Sequence, residues 1–523
     1  MSLECLTILM FMTVVWPPRA WCAEHIPPAQ VIVEWNRPIG VLNTAATLLV
    51  VPSPILHEPS PVRTSAFAAL QQLHAPNPRY LAWYPYPHLA VAELEPPTPG
   101  RTSWNFAGID SELVPFLKAT EAYHPVVSLA TIPAWMFKTD KAVGYPKDVD
   151  RADFAYGFRG TELRDPSAEQ LAAYEARVFS WYTQGGFTDE WGEYHRSGYH
   201  FDIPWWGVLN EPEAEHFTSP EHYVQRYDAI VSAIHKVDSK VKFLALSLCC
   251  WNEGPEYLEY FLDAAHHRPG TPVDMIGYHF YANLPPGRPI GEWQSIAFEK
   301  ADDFIAHVRY LEAIRKRLSP ATKVDVDELG LDVDQDGDRP PVRAPDVYWN
   351  LGAAYDSYLF LWLARLSIDI LTASHFMGSD GFSPMQSMMN WRTGRPNARY
   401  RARALLNRHF GAGDRWVATR YVDPHLRQTL RELELRDLPH LFPEVFQPKD
   451  LAVQAMTTNA GRRILLINKT ANAVDVDLQG AGRTIWAEMI DERSGDVPAR
   501  REELKGSVLH LRRFAVAVVV IAG

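Results

Sequence analysis

Two short strand-like runs in this sequence, one apolar and one β-branched, each stop on a carboxylate. Trp205–Glu213 reads WWGVLNEPE and stops at Asn210-Glu211-Pro212. Lys323–Gly330 reads KVDVDELG, a β-branched run that stops at Glu328. A buried strand that ends on an acid can present that acid to a cavity at its mouth. Two such acids on two strands suit acid/base-assisted cleavage of a glycoside. One carboxylic acid protonates the leaving oxygen, and the other carboxylate works at the anomeric carbon.

The elements that must hold these acids can be read from the surrounding pattern. Strand candidates are Thr47–Pro52, Tyr80–Pro85, Val126–Ile132, Trp206–Asn210, Phe243–Leu248, Met275–Tyr281, Val324–Glu328 and Ser374–Ser379. Most are short and continuously apolar, as parallel strands covered on both faces are. Helical periodicity fills the gaps. Ser219-Pro220-Glu221 supplies an N-cap, a proline at the first helical position and an acid in the first turn. Tyr223, Tyr227, Ile230, Ile234 and Val237 follow at helical spacing, and Phe304, Val308, Leu311, Ile314 and Leu318 repeat it. Strand and helix alternate over residues 45–409, which predicts an α/β fold, a TIM (β/α)8 barrel with large loop insertions. In such a barrel catalytic groups sit at the C-terminal strand ends, where Glu211 and Glu328 fall. On the seventh strand, alternation puts Val324, Val326 and Glu328 on one face and Asp325 and Asp327 on the other. If the valines face the barrel interior, Glu328 does so too, and the aspartates have supporting roles.

From about residue 410 the period changes to two. Ala452–Met456, Arg463–Asn468, Val474–Leu478, Thr484–Ile490, Val508–Leu511 and Ala515–Ile521 read as antiparallel strands, an accessory β-sandwich over residues 410–523. Arg436–Asp450 reads as a crossing loop, and Val31–Trp35, within residues 24–44, can add a strand to the sandwich. Residues 1–23 resemble a secretory signal peptide. Leu6–Trp16 is an apolar run followed by Pro17, Pro18 and small residues, too short to span a bilayer comfortably. Its n-region carries only Glu4 as a charge, so a retained anchor or a mis-set start is the competing reading. Export to a secreted, periplasmic or extracellular location is expected, with no stable membrane insertion after cleavage.

Composition narrows the field of partners. With 47% hydrophobic and 22% charged residues the chain is globular rather than disordered. A net charge of -12 leaves no basic footprint for nucleic acid and no attraction to anionic lipid. The 17 Trp and 22 Tyr suit stacking on the flat C–H faces of sugars, although large barrels also use aromatics as filler. Of the 4 cysteines, Cys5 and Cys22 lie in or beside the leader, so no disulfide framework exists. Adjacent Cys249 and Cys250 can be a vicinal disulfide or two packed thiols. No zinc spacing occurs. Asp332–Gly337 mimics the start of a calcium loop, but Arg343 stands where its bidentate carboxylate belongs, and a solvated acidic loop is preferred. Asn468-Lys469-Thr470 is a glycosylation sequon. No metal or cofactor is expected.

The Asn-Glu pair ending strand four, with a second Glu ending strand seven, resembles the clan A glycoside hydrolases. Within that clan the chain resembles family 39, which includes β-xylosidases and α-L-iduronidases. The likeness is carried by VLNEPE at Val208–Glu213, by His279-Phe280-Tyr281, by TGRPNARY at Thr393–Tyr400 and by the sandwich. One departure is Val208-Leu209, where some relatives have Glu-Val-Trp. The resemblance implies retention of anomeric configuration, with carboxyl groups about 5 Å apart. It implies Glu328 as nucleophile and Glu211 as acid/base, tasks that need different protonation states. It implies that Asn210 binds the sugar hydroxyl beside the anomeric carbon and that Tyr281 holds Glu328 ionised. His279 is a sugar ligand or a hydrogen-bonded core histidine. Trp83, Trp135, Trp251 and Trp391 each follow or end a strand candidate, and Trp135 and Trp391 are taken as substrate-stacking candidates. The substrate class expected is an oligosaccharide, polysaccharide or glycoconjugate. A non-catalytic carbohydrate-binding protein on the same fold and a transglycosidase are the alternatives.

Overall fold

The computed structural model describes residues 28–249, 255–333, 345–422, 450–494 and 497–522. The leader, Cys250, Trp251, the acidic loop after Val333 and the crossing loop up to residue 449 lie outside them.

Eight parallel strands close into a barrel: Ala45–Val50, Arg79–Ala82, Val126–Leu129, Trp205–Gly207, Lys242–Leu248, Met275–Leu284, Lys323–Val333 and Ile370–Ala373, in that order around the ring. Their outward side chains, among them Leu48, Tyr80, Val127, Trp206, Phe243 and Ile276, join the helices in one continuous core. Inside, Val126, Trp205, Leu244, Met275 and Ile370 plug the N-terminal end. Leu49, Leu81, Tyr86, Leu89, Ala130 and Phe382 pack near the other end. Between these two apolar layers the interior is polar, with buried Thr47, Arg79, Ser128, Asp325 and Thr372. A barrel of this kind is a packed core, so its chemistry is confined to the mouth. Helix Pro220–His235 starts as expected, with the Ser219 side chain accepting from the His222 N–H and Pro220 at the first position.

Two strand expectations are corrected. The eighth strand is Ile370–Ala373, not Ser374–Ser379. The run Ile370–Ala373 leads straight into a loop that looks apolar as well, because Phe376 and Met377 are buried there. That loop is tied to the barrel rim by the Phe376 N–H donating to the Leu49 carbonyl at 2.8 Å. On the seventh strand the valines face outward into the helical core, and Asp325 and Asp327 face the interior. Against the sixth strand, Asp325 pairs with Gly277 and Glu328 with His279, so three steps on one strand match two on the other. That bulge turns Glu328 back to the mouth, which simple alternation does not anticipate.

Nine further strands form one sheet in the order Arg500–Glu503, Thr484–Ile490, Val516–Ile521, Gly461–Asn468, Leu451–Thr458, Arg415–Val422, Ala29–Val41, Val474–Asp477, Val508–Leu511, and two short two-stranded ribbons, Gly186–Thr188 with Tyr194–Arg196 and Met389–Asn390 with Arg395–Pro396, complete the described strands. Both ends of the sheet contribute to one core, with Val476 and Leu509 joining Ile464, Met489 and Val519, so the sheet folds over on itself as a sandwich. Its opposite face, with Leu465, Ile467, Val516 and Val518, packs into the helical layer of the barrel. The expected strands are all present, and the N-terminal segment joins the sheet. Arg415–Val422 and Arg500–Glu503 are additional. Their charged, half-exposed residues hide the alternation that marks a strand. Among the described residues no helix is long and apolar enough to cross a membrane.

Candidate active site

Strand four ends at Gly207, and the chain leaves it through a strained turn. Leu209 has φ 61° and Glu211 φ 42°, while Leu246 and Ser247 at the end of strand five have φ 71° and 53°. Left-handed backbone at non-glycine residues costs roughly 1–2 kcal/mol each and persists where surrounding contacts hold it. Here the Glu211 N–H donates to the Ser247 carbonyl at 3.0 Å, which locks the two strand ends together. The turn aims Glu211 into the mouth, where its Oε1 lies 2.7 Å from His279 Nδ1.

Glu328 arrives from the far side. The Tyr281 hydroxyl donates to its Oε2 at 2.6 Å and lies 2.8 Å from Ser374 Oγ. His279 Nε2 is 3.6 Å from Glu328 Oε1 and 3.5 Å from Asp327 Oδ1. Facing carboxylate oxygens of Glu211 and Glu328, with a ring nitrogen of His279, all lie within 4.8 Å of one another. Retaining glycosidases hold their two carboxyl groups about 5–5.5 Å apart, inverting ones about 6.5–9.5 Å.

Beneath the pair sits Arg79, which the sequence analysis did not single out. Its Nη1 donates to Glu328 Oε1 at 3.3 Å and to the Asp327 carbonyl at 2.9 Å. Its Nη2 reaches Asn210 Oδ1 at 2.9 Å and Asp327 Oδ2 at 3.0 Å. One planar cation thus fixes the nucleophile candidate and the amide beside the acid candidate. Gly277 makes the space for this arrangement. A Cβ there would lie 2.5 Å from Asp327 Oδ1. The available signal was an arginine opening an apolar strand after Pro78, because a buried guanidinium in such a place needs carboxylate partners.

Burial and charge act against each other throughout the cluster. Burial disfavours a charged His279, yet the carboxylates of Glu328 and Asp327 and the bond to Glu211 hold its pKa well above the usual histidine range. Burial also opposes charge on Asp327, but Arg79 and His279 keep its carboxyl below the ordinary value. The Glu328 carboxyl ends above its ordinary value: burial pushes it up, His279 and Arg79 pull it back, Glu211 pushes it up again, and the Tyr281 bond pulls it back. Asp325, deeper in, is raised far above the ordinary range by burial and by Asp327, and accepts from Thr372 Oγ1 at 2.9 Å. The mouth is therefore a compact array of alternating charges over a neutral acid.

A cavity of about 130 Å³ opens on this array, lined by Trp83, Asn210, Glu211, Tyr281, Glu328 and His375 among others. A larger hollow of about 550 Å³ beside His57 and Tyr145 contains neither carboxylate. Burial and Arg399 depress His375 to about 3, so it meets the cavity as a neutral ring. Glu211, Glu328, Asn210 and Tyr281 all line the cavity, and His279 supports it from behind. Trp135 and Trp391 do not line it. Trp135 donates to the Glu93 carbonyl at 2.8 Å, and Trp391 donates to Asp380 Oδ1 at 3.1 Å beside Arg392. Trp83 supplies the ring instead. A tryptophan near a strand end carries no local signal of whether it turns inward.

A third acid supports the site. Glu215, one helical turn after Glu211, donates its N–H to the Glu211 carbonyl at 2.7 Å. Its Oε1 accepts from Trp83 Nε1 at 2.7 Å and lies 3.5 Å from Asn210 Nδ2. Burial, then the charge of Glu211, raises its pKa well above the carboxylate range, so it is neutral. Glu215→Gln keeps the acceptor and the neutrality, and is expected to hold kcat/KM within about threefold of the parent. Glu215→Ala is expected to lose roughly ten- to hundredfold, as Trp83 and Asn210 lose their anchor. Steady-state kinetics on both variants checks this. Equal losses in the two would contradict an anchoring role.

Among the described residues, two groups of side chains have the donor types of a metal site. Glu211, His279 and Glu328 already bind one another. Asp189, Glu193 and His195 are the second group. There the Asp189 oxygens accept from the Trp191 and Glu193 N–H groups, Thr102 and His195, which makes a hydrogen-bonded turn.

Comparison with known proteins adds two findings. Residues 448–519 match the family model described as D-apionate lactonase, C-terminal immunoglobulin-like domain. No curated protein matches the chain. Among solved structures, a GH51 arabinofuranosidase from Xanthomonas axonopodis pv. citri is similar with a TM-score of 0.62 and 12% identity, over 94% of this chain and 99% of that one. A GH30 endoxylanase from Clostridium papyrosolvens C71 has a TM-score of 0.53 and 12% identity, over 94% and 100%. A glucosidase from Croceicoccus marinus has a TM-score of 0.56 and 15% identity, over 94% and 98%. At such identities the likeness is one of fold. The narrower family 39 resemblance is not supported by these neighbours, of which the first two carry the names of families 51 and 30 and the third none. The strand-end motifs behind it are specific for the clan and weak for any family.

Proposed function

We propose that this protein is a retaining glycoside hydrolase. The observation that carries the reading is the pair of carboxylates from strands four and seven, within 4.8 Å of each other in one cavity. Glu328, ionised and held by Arg79 and Tyr281, attacks the anomeric carbon. Glu211 gives its proton to the glycosidic oxygen as that bond breaks, and the leaving group departs as an alcohol. The sugar remains as a glycosyl ester on Glu328. Water then enters, Glu211 takes its proton, and the hydroxyl displaces Glu328 with net retention. The His279 imidazolium beside Glu211 returns the cluster's charge toward balance when that proton has left. Asn210, its Oδ1 fixed by Arg79, offers its Nδ2–H to the hydroxyl next to the anomeric carbon. No cofactor enters this scheme. The apolar run at Leu6–Trp16 supports export ahead of action on extracellular oligosaccharides or glycoconjugates.

The neighbours' names suggest the first substrates to try: aryl α-L-arabinofuranosides, xylosides and glucosides. At about 130 Å³ the cavity holds some four waters' worth of volume, room for a single sugar ring. Proton NMR of the first-formed sugar distinguishes retention from inversion, and the α or β configuration of the substrate should persist. An inverted first product would refute the mechanism. A sugar-derived lactone belongs in the same panel, because the family model matching residues 448–519 carries a lactonase name. Opening of the lactone with no glycoside cleaved would replace this reading. Added sugar acceptors would reveal a transglycosidase, which shares the same ester.

A further inference from the structure

Five aromatic rings run outward from the cavity. Trp83, which lines it, lies 6.4 Å from Phe154 and 4.6 Å from Tyr84, centroid to centroid. Tyr84 lies 6.1 Å from Phe158, and Phe158 lies 5.9 Å from Phe217. The last rings are in solvent: Phe154 is 48% exposed, Phe158 52% and Phe217 63%. Clustered exposed phenylalanines, linked ring to ring with a tryptophan that lines a cavity, mark a place where something apolar is covered.

The ledge is built rather than incidental. His216 and Phe217 both lie in the left-handed region, with φ 58° and 48°. Strain at consecutive non-glycine residues is sustained only by surrounding contacts. His216 provides them. Its N–H donates to the Gly157 carbonyl at 2.9 Å, and its Nδ1 lies 2.7 Å from the Gly160 carbonyl. The loop bearing Phe158 is thereby pinned to the loop bearing Glu211 and Phe217. His216 also stacks on Phe137 at 4.0 Å.

Position identifies the occupant. An acid that protonates the leaving oxygen must lie on the leaving-group side of the broken bond. Phe217 belongs to the turn that follows Glu211, so the ledge extends on that same side. Phe154, Phe158 and Phe217 offer no hydrogen-bonding atom, and the Trp83 N–H is taken by Glu215 at 2.7 Å. A second sugar unit would need polar partners as well as a ring face. A flat apolar group needs only the face and the buried area. We propose that Trp83, Phe154, Phe158 and Phe217 form a leaving-group subsite for a planar apolar aglycone, such as an aryl group joined through its phenolic oxygen. This inference rests on the glycosidase reading above, which sets the direction of departure.

Binding tests it independently of turnover. In Glu328→Ala protein, calorimetry compares the aryl glycoside, the methyl glycoside and a disaccharide that share one glycone. The aryl glycoside should bind tightest. Adding Phe217→Ala, or separately Phe158→Ala, should weaken aryl binding about three- to tenfold and leave methyl glycoside binding unchanged within about twofold. In the otherwise unaltered enzyme, Phe217→Ala should raise KM for the aryl glycoside by a similar factor, with inhibition by the free sugar unchanged. Aryl binding untouched by both substitutions, or methyl binding weakened equally, overturns the subsite. So does a disaccharide that binds more tightly and loses more, which would make the ledge a sugar subsite. Absence of binding by every aryl glycoside overturns it as well. If the parent protein binds aryl glycosides through the ledge yet cleaves none, the catalytic reading fails and the ledge stands.

Discussion

On the proposed mechanism, Glu328→Ala is expected to remove turnover, with kcat reduced by at least about four orders of magnitude on every substrate that the parent cleaves. Without that carboxylate no glycosyl ester can form, and neither neighbour can substitute. Asp327 is turned inward against Gly277 and bound by Arg79, and the Tyr281 hydroxyl has burial and Glu328 itself raising its pKa far above the working range. The substitution leaves a hole beside two groups suited to an anion, Arg79 and His279. Azide should occupy it and attack the anomeric carbon from the vacated side. The product is a glycosyl azide of inverted configuration, identifiable by NMR, with part of the lost rate restored. Circular dichroism establishes that the variant is folded, since Arg79 keeps Asp327 and Asn210 as partners. Turnover close to the parent's would remove Glu328 from the mechanism.

Glu211→Ala should act selectively. A poor leaving group, such as another sugar, needs a proton as the bond breaks and should lose about a thousandfold or more in kcat/KM. An activated nitrophenolate departs without that proton and should lose roughly tenfold or less in the same quantity. A plot of log kcat/KM against leaving-group pKa should therefore be shallow in the parent and steep in the variant. Azide again intercepts, now at the glycosyl ester, and the glycosyl azide keeps the configuration of the substrate. The same loss across all leaving groups would deprive Glu211 of its acid role. The two variants together separate the two carboxylates, which a fold-level likeness at 12% identity cannot do.

The acids were visible in the sequence because Glu211 follows an apolar run and Glu328 a β-branched one, but strand seven runs on to Val333 and it is the bulge after Asp325 that brings Glu328 to the mouth. Seven of the barrel strands stand where hydrophobic continuity put them. What escaped was information held between strands. The bulge on strand seven is defined by its pairing with strand six, so the outward turn of Val324 and Val326 has no local trace. Arg79 and Glu215 act through partners more than a hundred residues away, Glu328 for one and Trp83 for the other. Trp135 and Trp391 look like Trp83 in sequence, and only tertiary packing separates them. Strand eight was displaced because Ile370–Ala373 leads straight into a buried loop that looks apolar as well.

The strand Ala29–Val41 lies between Arg415–Val422 and Val474–Asp477, so segments from opposite ends of this sequence are zipped together in mid-sheet. A gene fragment starting near Arg415 would encode a sheet missing an inner rung, with two raw edges ready to recruit foreign strands. The C-terminal sandwich is therefore not an exchangeable cassette, and grafting it elsewhere requires carrying the early strand along. On the ribosome that strand must wait for the whole barrel to be made before its neighbours exist, so closing the sheet clamps a barrel already formed.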